Sequence, residues 1–132
     1  KGPHKGQYSS NPKGKNPADV WDIPNVKANH VEKTEHPCQF PVGLASNLIR
    51  GFSPKDGLVF DPFSGVGTTG VAATIEGRRF LGAEIAEKYA AISLNRIREA
   101  ENGNAKVRPT DRPIYVPSPK LAVAQFPHEK RG

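Results

Sequence analysis

The chain has 132 residues, 36% of them hydrophobic, which suffices for one small core and sets one domain as the ceiling. Its 19 Lys and Arg against 13 Asp and Glu give a formal charge of +6, which suits a polyanionic partner, although a solvated tail carries such charge equally well. The single cysteine excludes an intrachain disulfide, and no apolar run reaches the length of a signal core or a membrane span, so the expected setting is intracellular.

Residues 1–33 read as a loop-rich basic arm. Its Gly-Pro, Asn-Pro and Ile-Pro steps favour turns or extended backbone. Lys1, Lys5, Lys13, Lys15, Lys27 and Lys33 supply charge that can meet phosphate, and Lys5, Lys13, Lys15 and Lys27 are the candidate nucleic-acid contacts. Val20, Trp21 and Ile23 form an apolar island expected to dock on a neighbouring surface. Cys38 lies between Pro37 and Gln39 with no second Cys or Cys-His spacing that would suggest zinc, so a packed or partly buried thiol is expected there.

From Phe40 the pattern becomes helical, with Pro41 in the first turn, Leu44, Leu48 and Ile49 on one face, and Gly51 and Ser53-Pro54 as the stop. Leu58-Val59-Phe60 is a short continuous apolar run bounded by turn residues, the mark of a buried strand in a parallel sheet covered by helices on both faces. Asp61 to Gly70 is a glycine-rich loop, and Val71 to Ile75 a helix ending near Gly77. Residues 79–85 give a second strand, and residues 86 to about 100 a second long helix with Tyr89, Ile92 and Ile97 toward the sheet, stopped by Gly103. Residues 34–103 thus form the packable segment, and 104–132 an extended Pro-rich tail expected to lie over the domain surface.

Gly65, Gly67 and Gly70 spell G-x-G-x-x-G between a strand and a helix. Such glycines let backbone approach a ligand, and free amides at the helix start can hold a carboxylate or phosphate; they also serve plain strand-to-helix packing. The carboxylate of Glu84, at the end of the second strand, is placed to accept both hydroxyls of a ribose, or to be an ordinary strand-end charge. Asp61 at the mouth of the loop is unwelcome to a pyrophosphate. S-adenosylmethionine has no phosphate: its cationic sulfonium and ammonium suit Asp61, its carboxylate suits the amides and hydroxyls around Gly67, Thr68 and Thr69, and its ribose reaches Glu84.

At these residues the sequence resembles a family. Asp61-Pro62-Phe63-Ser64-Gly65-Val66-Gly67-Thr68-Thr69 is similar to the cofactor motif of bacterial and phage DNA amino-methyltransferases, and residues 78–85 to the ribose-binding motif that follows. Glu35-His36-Pro37-Cys38-Gln39-Phe40-Pro41 resembles the family's segment beside the methionine end of the cofactor, and Trp21-Asp22-Ile23-Pro24 with Lys33-Thr34 the stretch leaving the DNA-recognition region. The likeness spans about residues 16 to 100. It implies an α/β, Rossmann-like S-adenosylmethionine-dependent methyltransferase fold, here partial, with the arm and tail added. Carried onto this chain, Asp61, Phe63, Ser64, Gly65, Gly67, Thr68 and Thr69 line the methionine part, Glu84 holds the ribose and Ile85 packs on adenine. His36 and Pro37 close the methionine end, although His36 equally suits a cap at helix entry.

The reaction that the resemblance implies is methyl transfer to the exocyclic amine of adenine or cytosine in double-stranded DNA, after the base is flipped out. The family's Asp- or Ser-Pro-Pro-aromatic catalytic loop has no counterpart here. That omission fits the permuted subclass, in which the cofactor motifs come last, and implies a C-terminal part that works with an N-terminal catalytic half or partner subunit. A seven-stranded sheet reduced to two strands would have bare edges and should associate with that half or with itself. The setting implied is restriction-modification in a bacterial or phage-infected cytoplasm, with neither metal nor membrane. Two other readings stand beside it: a non-catalytic nucleic-acid-binding module retaining the scaffold, and, more distantly, a dinucleotide-dependent oxidoreductase.

Overall fold

The computed structural model describes residues 20–109 and 113. The elements run α1 (Val42–Phe52), β1 (Leu58–Asp61), α2 (Thr68–Ile75), β2 (Arg79–Gly82) and α3 (Glu87–Glu101). The two strands are parallel and in register from Leu58↔Arg79 to Asp61↔Gly82, with α2 as their crossover. This strand-helix-strand unit is the one that the residue pattern predicts, with the second strand shorter than expected because pairing ends at Gly82.

Every other element packs on α2. Its sequence, TTGVAATI, is small and apolar nearly all round, as a helix enclosed by neighbours should be, and Thr68, Gly70, Val71, Ala72 and Ala73 are buried. A side chain at Gly70 would meet Phe80 and Ile97, so the missing Cβ is what lets β2 and α3 come close. The core joins Val42, Ala45 and Ile49 of α1, Val71, Ala72 and Ala73 of α2, and Ala100 of α3, with Phe80, Ile97, Ala105 and Val107 packed against it.

One buried carboxylate ties the ends of the unit together. Glu32, 3% exposed, accepts the Val42 N–H at 2.8 Å and the Arg108 N–H at 3.0 Å. It thereby caps α1, whose own N-cap residue is Pro41 and supplies no side-chain acceptor. At the other end of α1, Arg50 donates two 2.8 Å hydrogen bonds to Glu76 beyond α2.

Several expectations change. The buried stripe of α1 is Val42, Ala45, Ser46 and Ile49; Leu48 is exposed and Leu44 half-buried, because the leucine side faces an open apolar groove with Phe40, Phe52 and Leu58. The strand run is not enclosed on both faces. Val59 packs on the core, but Leu58 and Phe60 are 54% and 59% exposed and Leu81 is 54% exposed. α1 and α3 pack on α2, and all three helices lie on the Val59 side, leaving the opposite face bare. The inner side of α3 meets α2 rather than the sheet, with Tyr89 packed edge-on against His36. Cys38 is exposed, in a tight turn whose Cys38 N–H is bonded to His36 Nδ1 two residues back and not to the core. Of the apolar island, Trp21 and Ile23 are half-buried and Val20 is exposed.

Candidate functional site

β1 carries Asp61 to the end of the sheet, and the chain turns through residues 62–67 before α2 begins at Thr68. Gly65 (φ 53°) and Gly67 (φ 74°) have left-handed backbone. Gly67 is also pressed by α3: a Cβ there would overlap Ser93 Oγ and stand 2.9 Å from Ser93 Cβ, closer than real contacts allow. The turn is closed by the Gly67 N–H on the Ser64 C=O at 2.8 Å, and anchored to the chain leaving β2 by the Ser64 N–H on the Ala83 C=O at 2.9 Å.

Both acids predicted for the site lie at this turn, each with both oxygens engaged. Asp61 accepts the Phe63 N–H at 3.0 Å and the Thr69 hydroxyl at 2.6 Å, so it joins the strand end to the first turn of α2, where the helix dipole favours negative charge. Glu84 stands two residues beyond β2, not in the strand as expected. It accepts the Gly65 N–H on one oxygen and the Ala86 N–H on the other, both at 2.8 Å. One carboxylate thus holds the glycine turn and the entry to α3 together. Each of its oxygens keeps a lone pair for a hydroxyl donor.

The first amides of any helix lack intrahelical acceptors, and at α2 no side chain supplies one, since the N-cap is Gly67. His36 completes the edge of the site. Its Nδ1 accepts the Cys38 N–H at 3.2 Å, which in the neutral ring leaves the proton on Nε2, the atom facing Gly65. The ring is fixed by edge-on packing on Tyr89, with centroids 4.6 Å apart, and its segment is drawn to α3 by a Glu35–Lys88 ion pair. An open groove of about 830 Å³ runs from Ser64 and Glu84 along β2 and α3.

The structure therefore gathers His36, Asp61, Ser64, Gly65, Gly67, Thr68, Thr69 and Glu84 around one turn. Pro37 is exposed beside His36, and Phe63 and Ile85 project from the rim at 88% and 102% exposure. Lys27 is exposed on a turn beside Pro24 and His30, away from the glycine loop; Lys5, Lys13 and Lys15 lie outside the described residues. The sequence reading missed Arg96. From α3 its Nη1 reaches the Val66 C=O at 2.6 Å and the Thr68 hydroxyl at 3.2 Å, and burial pushes its guanidinium below the ordinary value. The available signal was a basic residue on the stripe Ile92, Ser93, Ile97, Ala100 that α3 turns inward. Among the described residues no group of three or more His, Cys, Asp and Glu is placed to hold a metal, and no helix is long and apolar enough to cross a membrane.

Strand, glycine turn, helix and parallel strand, with a carboxylate beyond the second strand, make a ligand-binding unit of the parallel α/β class. The chain belongs to the DNA methylase family (N6_N4_Mtase), which matches it over residues 1–95. Among similar proteins, the Type II methyltransferase M.ScaI of Streptomyces caespitosus is 46% identical over 100 residues, 73% of this chain and 33% of the relative. M.BglII, a Type II methyltransferase of Bacillus subtilis, is 43% identical over 70% of this chain and 26% of its own length. The DNA adenine methyltransferase YhdJ of Escherichia coli is 38% identical over 68% of this chain and 31% of its own. A putative DNA modification methylase from Thermus thermophilus, complexed with S-adenosyl-L-methionine, superposes with a TM-score of 0.47 at 44% identity, over 48% of this chain and 27% of that one. The chain spans a third or less of the length of these relatives.

Proposed function

We propose that this chain is the S-adenosylmethionine-binding part of a site-specific DNA methyltransferase acting on the exocyclic amine of adenine or cytosine. The carrying observation is the pair formed by Glu84, held against Gly65 at the strand ends, and the start of α2, which no side chain caps. The residues fit that cofactor: a carboxylate with lone pairs to spare for ribose hydroxyls, a bare glycine turn, uncapped amides for the methionine carboxylate, and the Asp61 carboxylate for the cationic end. Bound, S-adenosylmethionine supplies a methyl group activated by its sulfonium.

The chain's own part is binding and orientation. Thr68 and Thr69 present the first amides of α2 to the amino-acid carboxylate. Asp61, fixed by Thr69 and Phe63, keeps negative charge beside the ammonium. His36 directs Nε2–H over Gly65, and Phe63 and Ile85 offer apolar surface at the rim, Ile85 toward adenine. The family's base-holding loop comes, in this reading, from an N-terminal half or partner subunit, which also covers the bare face of Leu58, Phe60 and Leu81. The basic arm, with Lys5, Lys13, Lys15 and Lys27, contacts double-stranded DNA, and the protein works in the cytoplasm of a bacterium or phage-infected cell.

Calorimetric titration tests the cofactor. S-adenosylmethionine should bind and a nicotinamide dinucleotide should not; Glu84→Ala should weaken binding about tenfold or more by removing charge-assisted bonds to the ribose. Equal binding of both ligands, or an unchanged affinity in a folded Glu84→Ala variant, refutes the pocket.

A further inference from the structure

Arg96 is a half-buried charge that the proposed site does not use. Its guanidinium carries a desolvation penalty, and Nη2 is buried without a hydrogen-bond partner among the described residues. A buried donor left unmade costs free energy, and so does a half-buried charge whose neighbours, Glu32 and Glu99, act through space. An apolar side chain would fill this place at lower cost to stability. What it would not do is hold the loop.

In a trans peptide, the Val66 C=O and the Gly67 N–H point in opposite directions. Arg96 pulls the carbonyl back toward α3, and the amide is thereby aimed into the turn, where it meets the Ser64 C=O at 2.8 Å. The same Nη1 holds the Thr68 hydroxyl at 3.2 Å, away from the α2 amides that this hydroxyl would otherwise compete for. Both bonds come from the two hydrogens of one guanidinium nitrogen, whose directions the planar group fixes; a lysine ammonium has donors enough but no such plane to aim them.

We propose that Arg96 is a positioning residue that clamps the glycine turn from behind, so that the turn and the first amides of α2 are set for a ligand before it arrives. The proposal rests on the cofactor-site reading for the identity of that ligand. Preorganisation of this kind raises affinity by lowering the ordering cost of binding.

The test compares the full chain with Arg96→Ala and Arg96→Lys, by amide hydrogen exchange without ligand and by calorimetry with S-adenosylmethionine. Arg96→Ala should speed exchange at Gly67 and Val71, whose amides are bonded within the turn and onto it, while leaving α1 unchanged, and should weaken S-adenosylmethionine binding about tenfold. Arg96→Lys should fall between. Free guanidinium ion at a few millimolar, well below denaturing levels, should restore affinity in Arg96→Ala. The vacated space adjoins a cavity of about 200 Å³ lined by Ile92, Asn95 and Arg96 itself. Unchanged loop exchange in both variants overturns the clamp, as does a uniform rise in exchange with no guanidinium rescue, which marks Arg96 as merely structural. Should the unaltered chain fail to bind S-adenosylmethionine, the cofactor reading falls, and loop exchange still decides the clamp.

Discussion

Replacing Gly67 by alanine separates two costs that meet at one atom. At φ 74° any side chain is strained, by about 1–2 kcal/mol. The new methyl would also stand 2.9 Å from Ser93 Cβ and 3.0 Å from Ser93 Cα. The second contact is backbone, so α3 itself must shift, at roughly 1–3 kcal/mol for an overpacked site. The expected total is about 2–5 kcal/mol, a large share of the stability of a small domain. Gly103 provides an internal control, since it has the same φ of 74° with open space around it. Gly103→Ala should therefore show the conformational cost alone. Denaturant unfolding of Gly67→Ala, Ser93→Gly, the double variant and Gly103→Ala completes the measurement. The double variant should recover about 1 kcal/mol or more through relief of the clash. If Gly67→Ala costs no more than Gly103→Ala, or the two changes at Gly67 and Ser93 simply add, close packing of α3 on the turn is wrong.

Glu32→Ala should leave the Val42 and Arg108 amides without their acceptor, at about 1–3 kcal/mol each for whichever stays buried. Glu32→Gln should repair this only in part, because its NH2 faces a donor; thermal melts of both variants read the difference. Hydrogen bonds from Arg50 hold the Glu76 carboxyl below its ordinary 4.5, against the opposing effect of burial. With the folded value the lower one, the pair's contribution is complete above the unfolded value and is lost as pH falls through the depressed folded value. Arg50→Ala should remove that acid-side slope from urea-unfolding curves and cost about 1 kcal/mol at neutral pH, no more, since Arg50 is largely exposed. Finally, Phe60 and Leu81 lie opposite each other on the bare face. Sedimentation should show concentration-dependent association of this chain, reduced in the Phe60→Ser, Leu81→Ser double variant. A monomer at every concentration would rule out self-association through this face.

The strand-turn-helix-strand order was legible in the residues alone, because its signals are local. Gly65 and Gly67 mark left-handed backbone between an apolar run and a small-residue helix, and Gly103 marks the end of α3. The gathering of Asp61, Thr69 and Glu84 followed from parallel strands delivering their ends to one side. Periodicity located the faces of α1 but not which one is covered. Leu44 and Leu48 looked like core, yet α2 meets Val42, Ala45 and Ile49 instead. Nor could a strand's apolar content show that one of its faces is bare, or the turn at Cys38 that its thiol points outward. Glu32 and Arg96 carried no motif, because their roles depend on partners far along the chain: Arg108, 76 residues away, and Val66, 30 residues away. Residue type and spacing decide what the backbone does over a few residues. Which buried charge finds which distant amide is decided only when the segments pack, since only then does desolvation make each such partner necessary.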